Sequence, residues 1–358
     1  MNCVSGMIYT KDGFIEGHIC FENGVVTEVC SGPAEKPDLE GLILPAFTNA
    51  HTHIADYVVP VDLNLSLEEL VAPPNGFKYK MLKKTPENKI RQGIEKVSEY
   101  MFKRGITSFI DFREGGVSGA KLLSSSIWSK PITMGKPTTF DAKELSDLLD
   151  LSDGVGPSSI SDWDYEDLME LSKLARSKGK LFGIHCSERI REDIAAVLDL
   201  KPSFLVHMTK ATDEDLKACA DENIPIVACP RSNMFFGSEP PLKQMLDQGV
   251  TISLGTDNAM VCMPDILCEA EFAGRLLRRQ GVSNLDEVLN MITSNGRKII
   301  NHKQKIWIKP RDLCNFVVIE DKGGDPITDL VLRNAGTSPL LVCLENKIWR
   351  SGRNESIH

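Results

Sequence analysis

Short apolar runs, each closed by polar or glycine-containing residues, recur eight times along the middle of the chain, at 42–47, 106–112, 131–135, 154–157, 181–185, 203–207, 224–229 and 250–254. Runs without polar alternation suit strands buried on both faces, as the strands of a parallel sheet are. The fourth run is the least apolar of the set. Helical patterns lie between several of the runs. Thr85-Pro86-Glu87 combines an N-cap with proline at the first helical position; Ile90, Ile94, Val97 and Met101 follow at helical spacing, and Gly105 closes the segment. Leu168, Leu171, Leu174 and Ala175 define one face of a second helix that Gly179 stops, and a third is expected from Thr212 to about Asn223. Strand and helix alternating in this way predict an α/β chain, and eight repeats predict a closed (β/α)8 barrel of the TIM type.

The ends are patterned differently. Residues 1–40 hold short alternating pieces with turns at Lys11-Asp12-Gly13 and Glu22-Asn23-Gly24, and similar pieces recur at 314–319, 330–333, 340–345 and 347–350. The two ends are expected to meet in one small β domain, 1–40 with 303–358, beside a barrel spanning 41–302. The stretch 58–85, rich in Pro and Lys, is a long first loop and a candidate lid.

Composition narrows the partners. The chain has 358 residues, enough for a large core, and a formal net charge of -9. That charge gives no general attraction to a polyanion, so neither nucleic acid nor an anionic membrane surface is an expected partner, and a small-molecule substrate is. The first residues show no charged start followed by an apolar stretch, and no run reaches the roughly 18 apolar residues of a membrane span. A cytoplasmic protein is expected. Ten cysteines without a CxxC pair then read as reduced, mostly buried thiols.

The histidines carry the chemistry. His51 and His53 sit at i and i+2 of the first strand segment, so both face one side, roughly 6.5–7 Å apart at Cα. Two imidazoles so placed can reach one metal at about 2.0–2.1 Å. Of seven histidines, four fall at or near ends of the predicted barrel strands: His51, His53, His185 and His207. Asp257, in Gly255-Thr256-Asp257-Asn258, adds a carboxylate after the eighth strand. Barrel active sites are built at strand C-termini, so this convergence predicts a metal site. His18, His302 and His358 lie in the terminal parts and read as surface residues. Arg113 follows the second strand, and with Lys78 and Lys80 of the lid it could grip a substrate carboxylate or phosphate, unless it only pairs with Glu114. Arg231 is a weaker candidate of the same kind. Lys130 and Lys136 flank the third strand. Cys186 and Cys229, although near the site, read as filler.

Five motifs in order, Leu44-Pro-Ala-Phe-Thr-Asn-Ala-His51-Thr-His53, His185-Cys-Ser-Glu188, the histidine of strand six, Cys229-Pro-Arg-Ser-Asn233 and Leu254-Gly-Thr-Asp257, give the chain a close resemblance to the amidohydrolase superfamily. It resembles most the branch of cytosine, guanine and adenosylhomocysteine deaminases and triazine chlorohydrolases. The resemblance implies a (β/α)8 barrel with a β-sandwich built from both termini. Two-metal relatives place a bridging lysine on strand four, and residues 153–159 contain none. One divalent ion is therefore expected on His51, His53, His185 and Asp257, with His207 beside it. Zinc is the first choice, and iron, manganese or nickel also suit the donor set.

The resemblance further implies roles. A bound divalent metal lowers the pKa of water from about 15.7 to roughly 7–9. Asp257 takes the water's proton, His207 polarises the substrate or orients the attacking hydroxide, and Glu188 protonates a ring nitrogen and then the leaving amine. Asn233 and Asn258 join Arg113 and Lys78 as candidate substrate-binding residues. The first loop lacks the Trp-Leu run associated with nucleoside binders, which argues against a nucleoside. Hydrolytic deamination of a small nitrogen heterocycle is the leading expectation. Hydrolysis of a cyclic amide or another C–N or C–Cl bond is the alternative, and a non-catalytic scaffold is the third reading. The family suggests a homodimer.

Overall fold

The run at 42–47 divides at Ala46, and this division organises the molecule. Leu39–Pro45 joins a sheet made from the chain ends, while Phe47–His53 starts a second, parallel sheet. The computed structural model describes residues 1–73, 75–123, 128–301 and 306–352. His302 and His358, expected at the surface, lie outside the described residues, as do 303–305 and 353–358 of the expected terminal unit.

In chain order the strands are β1 (Asn2–Thr10), β2 (Gly13–Glu22), β3 (Val25–Ser31), β4 (Leu39–Pro45), β5 (Phe47–His53), β6 (Ile106–Arg113), β7 (Lys130–Gly135) and β8 (Gly154–Val155). There follow β9 (Leu181–Cys186), β10 (Phe204–His207), β11 (Ile226–Ala228), β12 (Ile252–Leu254), β13 (Asp257–Asn258), β14 (Asn315–Ile319), β15 (Leu341–Leu344) and β16 (Lys347–Arg350). Strands β5 to β13 form one nine-stranded sheet in the order β12-β11-β10-β9-β8-β7-β6-β5-β13, every pairing parallel. The weak fourth run is present as the two-residue β8. Strands β12 and β13 stand at opposite ends of this order, although only Gly255 and Thr256 separate them in the chain.

The helices between the strands follow their apolar faces. Glu87–Lys103 buries Ile94, Val97 and Met101, and Tyr165–Ser177 buries Leu168, Leu171 and Ala175. Pro86 is the N-cap of the first, one residue later than the Thr85 expected. Asp213–Asp221 starts from a capping box in which Thr212 and Asp215 satisfy each other's backbone N–H groups, and Asn223 ends the region in the left-handed conformation. Among the described residues no helix is long and apolar enough to cross a membrane.

The ends form one continuous seven-stranded sheet, β16-β15-β14-β4-β1-β2-β3, which folds back on itself so that Phe21 of β2 packs 5.2 Å from Phe316 of β14. Strand β4, which pairs parallel with β1 and antiparallel with β14, joins the two chain ends. Alternation along these strands splits the sheet's side chains between two cores. Leu42, Leu44, Val317 and Ile319 enter the main core, while Val4, Ile19, Phe21, Ile43, Phe316 and Val318 are buried with one another in a second. Residues 330–333, expected as an alternating piece, are instead the end of a helix, Pro326–Arg333, with Asp325 capping it and Pro326 in its first turn. A capped start with proline favours a helix over a short strand.

One pair of cysteines departs from the reduced reading. Cys3 and Cys20 form a disulfide with a Cα–Cα distance of 4.1 Å. They face each other across the β1–β2 hairpin, a pairing that register creates and local spacing does not announce.

Candidate functional site

The sheet's strand ends gather four histidines. His51 and His53 project from β5, His185 from β9 and His207 from β10, with ring centroids 4.9 Å apart for His51–His53, 5.0 Å for His51–His185 and 5.4 Å for His185–His207. Phe112 of β6 packs edge-on against His51 and His185, at 4.6 and 4.9 Å. It forms an apolar floor under the imidazoles.

Asp257 reaches the cluster through an unusual stretch of backbone. Oδ1 lies 3.3 Å from His51 Nε2 and 3.7 Å from His53 Nε2. The residue sits at φ 59, and His207 sits at φ 77. Such left-handed positions cost non-glycine residues on the order of 1–3 kcal/mol each and persist where surrounding contacts enforce them. Asn49 supplies contacts of that kind, donating to Thr256 Oγ1 at 2.7 Å and accepting from the Thr256 N–H at 3.0 Å. Gly255 has to be glycine, because a Cβ there would stand 2.6 Å from the His51 Cβ.

A second layer fixes the rings. The Glu114 carboxylate accepts from His53 Nδ1 at 3.0 Å, and the Pro157 carbonyl accepts from His185 Nδ1 at 3.2 Å. Since neither acceptor can donate, both protons sit on Nδ1, and both Nε2 lone pairs are left for another partner. Ser232 donates to Asp257 Oδ2 at 2.5 Å, and the Asn233 side-chain amide lies 3.1 Å from His207 Nδ1. Glu188 stands at the mouth with Oε1 3.6 Å from His207 Nε2.

The electrostatics match a cation site. Burial holds His51 neutral, its pKa lowered to about 3, and burial likewise keeps His185 well below the usual range. Burial works against the Asp257 carboxylate, but the imidazoles of His51, His207 and His53 close beside it outweigh burial and hold its pKa well down. Burial and Lys78 both lower His53, yet Glu114 more than offsets them and its pKa rises. Burial raises Glu188. Both ring nitrogens of His51 are buried without a hydrogen-bond partner. A neutral imidazole left so, beside two oriented Nε2 lone pairs and an ionised carboxylate, is a donor set that fits a divalent metal. The groups His51–His53–Asp257 and His51–His185–His207 each bring their ligand atoms within 4.8 Å of one another.

The cations expected to grip an anionic substrate are engaged elsewhere. Arg113 pairs with Glu114 at 2.5 Å and Asp111 at 3.4 Å, and both partners are buried. Lys78, on the helix Phe77–Lys84, reaches Glu114 at 2.6 Å and Asp56 at 2.8 Å; it borders the cavity with its charge already matched. Lys80 is exposed. Arg231 lies against Glu269, its backbone N–H donating to that carboxylate at 2.8 Å. Asn258 borders the cavity, and its side-chain oxygen accepts from the Met260 N–H at 3.0 Å.

Two residues that sequence reasoning passed over stand out. Glu114, considered only as a neighbour of Arg113, is the partner of His53. Lys136, just past β7, borders the cavity with Nζ 2.9 Å from the Tyr79 hydroxyl and 5.8 Å from the Trp163 ring centroid. Among the described residues no carboxylate pairs with it, and burial lowers its pKa to about 8. Its position after a strand end was the available signal. The cavity opens to solvent and is also bordered by Leu67, Val71 and Pro73 of the first loop and by Ser158 and Ser159.

A family model described as the amidohydrolase family matches residues 42–347. A protein of Methanothermobacter thermautotrophicus, provisionally named an aminohydrolase, is 30% identical over 362 residues, covering 92% of this chain and 94% of its own. A 5-methylthioadenosine/S-adenosylhomocysteine deaminase of Caldicellulosiruptor saccharolyticus is 26% identical over 337 residues, covering 80% of this chain and 77% of its own. Among solved structures, the zinc-complexed atrazine chlorohydrolase of Arthrobacter aurescens superposes with a TM-score of 0.79 at 13% identity, covering 97% of this chain and 95% of that one.

Proposed function

The chain belongs to the amidohydrolase family, and from that premise we propose that it is a single-metal aminohydrolase that deaminates a small nitrogen heterocycle. The observation that carries the reading is the clustering of His51, His53 and Asp257 and of His51, His185 and His207, each with ligand atoms within 4.8 Å of one another, with Glu188 beside His207. His53 and His185 have their Nδ1 protons engaged by Glu114 and Pro157, which supports both rings acting as Nε2 ligands. Zinc is proposed as the metal, in line with the zinc of the chlorohydrolase structure. The parallel sheet is read as a closed (β/α)8 barrel whose eighth strand is interrupted at Gly255-Thr256 to give β12 and β13. The terminal sheet, from 1–40 and 303–358 with β4 added, is its companion unit.

When bound, the metal supplies a Lewis acid that acidifies and positions the attacking water. Asp257 accepts the water's first proton on the carboxylate oxygen facing His51. Glu188, whose pKa burial raises, carries a proton to the ring nitrogen and then to the departing amine. His207, held by Asn233, donates to or orients the oxygen at the reacting carbon. Asn258 and Lys136 are the proposed substrate contacts; Arg113, Lys78 and Asn233 act through the residues they hold.

The test is metal content by elemental analysis together with ammonia release across purine, pyrimidine, pterin and triazine substrates. One metal per chain with ammonia from any member is the expected result. One metal without ammonia moves the reading to cyclic-amide or C–Cl hydrolysis, two metals per chain overturn the single-metal assignment, and no metal after reconstitution sinks the proposal.

Lys136 adds a prediction about the substrate's character. A desolvated ammonium without a carboxylate partner binds an anionic or strongly electron-rich oxygen through a charge-assisted hydrogen bond of about 1.5–3 kcal/mol. Lys136→Met is therefore expected to raise KM for such a substrate by roughly 10- to 100-fold. The lysine is charged below its pKa, so KM for the wild type should climb as pH rises through about 8, and the variant should show no such climb. Equal KM in the two proteins across that range would remove Lys136 from recognition.

A further inference from the structure

A second set of metal-ligating side chains lies on β1, β2 and β3 of the terminal sheet. Register places Cys3 opposite Cys20, Cys20 opposite Glu28, and His18 opposite Cys30. His18 and Cys20, two apart on β2, share one face of the sheet, and it is the face away from Ile19 and Phe21 in the second core. A ring nitrogen of His18, the Cys20 sulfur and a Glu28 oxygen lie within 4.8 Å of one another, with His18 Nε2 3.8 Å from Glu28 Oε1. The Cys30 thiol donates to the same Glu28 oxygen at 3.1 Å.

The histidine is already oriented as a ligand. Its Nδ1 donates to the Gly32 carbonyl at 2.8 Å. A carbonyl only accepts, so the proton is on Nδ1, and Nε2 presents its lone pair towards Glu28. This is the outer-shell arrangement that fixes the tautomer of metal-bound histidines. What closes the site as it stands is the Cys3–Cys20 disulfide, because a disulfide sulfur lacks the thiolate charge that binds metal.

We propose that reduction of the Cys3–Cys20 disulfide opens a thiolate–imidazole–carboxylate site for a zinc-like divalent ion among β1, β2 and β3 of the terminal sheet. A dithiol reductant gives two electrons and two protons to the disulfide, becoming a disulfide itself and leaving two thiols. Cys20 then releases its proton to solvent as its sulfur binds the ion, with His18 Nε2 and Glu28 as co-ligands. Cys3 or Cys30 completes a tetrahedral set. The metal load of the terminal sheet thus follows the thiol redox state, independently of the histidine cluster.

Cobalt(II) separates the two sites, because the histidine cluster offers only nitrogen and oxygen donors, whereas thiolate ligation gives an intense near-ultraviolet charge-transfer band. The full-length protein reduced with tris(2-carboxyethyl)phosphine is expected to bind one more cobalt per chain than the oxidised protein and to show that band. Cys3→Ser, which leaves Cys20 unpaired, should show it with or without reductant. His51→Ala should keep the band, and Cys20→Ser and His18→Ala should lose it while still binding cobalt at the histidine cluster. His18→Ala, which leaves both cysteines in place, guards against misfolding of the cysteine variants. Reduced protein without a thiolate band, a band that survives Cys20→Ser, or a Cys3→Ser protein that stays dark would each overturn the proposal.

Discussion

Asp257→Ala is expected to purify without its metal and to release no ammonia, and His51→Ala to do the same. Asp257 contributes the only carboxylate within 4 Å of His51 and His53 among the described residues, apart from the Glu114 oxygen on the far side of the His53 ring. Removing it takes away both the negative charge that would balance a divalent ion and the proposed base for the water's proton. Loss of general-base catalysis alone accounts for about 10²- to 10⁴-fold, and loss of the metal removes the rest. His51 is fully buried with no hydrogen-bond partner, so alanine there empties a position that no water-facing side chain can fill. Elemental analysis after dialysis, beside an ammonia assay, reads both effects. An Asp257→Ala protein with stoichiometric metal would take Asp257 out of the ligand set, and measurable turnover would take it out of the proton path.

Glu188→Gln should separate chemistry from binding. Glutamine keeps the shape of the side chain at the mouth and its contact distance to His207, but it cannot pick up and return a proton. The variant should hold its metal, keep KM near the wild-type value and lose about 10²- to 10⁴-fold in kcat. Full activity would relocate the proton shuttle to His207. A large rise in KM with kcat unchanged would make Glu188 a binding residue.

The parts of this molecule legible in its sequence are those where one residue's neighbours suffice. Parallel strands buried on both faces read as apolar runs, which is why the strand ends bearing His51, His53, His185, His207 and Asp257 could be located. Even the two-residue β8 was anticipated at its place. What escaped depends on contacts across long separations. Glu114 meets His53 from 61 residues away, and Lys136 owes its surroundings to Tyr79 on a helix 57 residues earlier. Cys3 meets Cys20 through hairpin register, and β4 left the expected first strand because β14, far along the chain, offered it an edge. Local pattern specifies which segments are strands; it does not specify which neighbour completes them.

The ion pairs beneath the first loop have a consequence for how this enzyme could change its diet. The helix that covers the cavity is anchored from below by Lys78, whose partner Glu114 also steadies His53. Swinging that helix outward would leave a carboxylate facing His53 with one counter-charge fewer, so cover and proposed ligand are mechanically one piece. The aperture then behaves as a fixed gauge rather than a door. Descendants of this chain that accept larger molecules would be expected to have trimmed the rim at Leu67, Val71 or Pro73, and to have left the anchor alone.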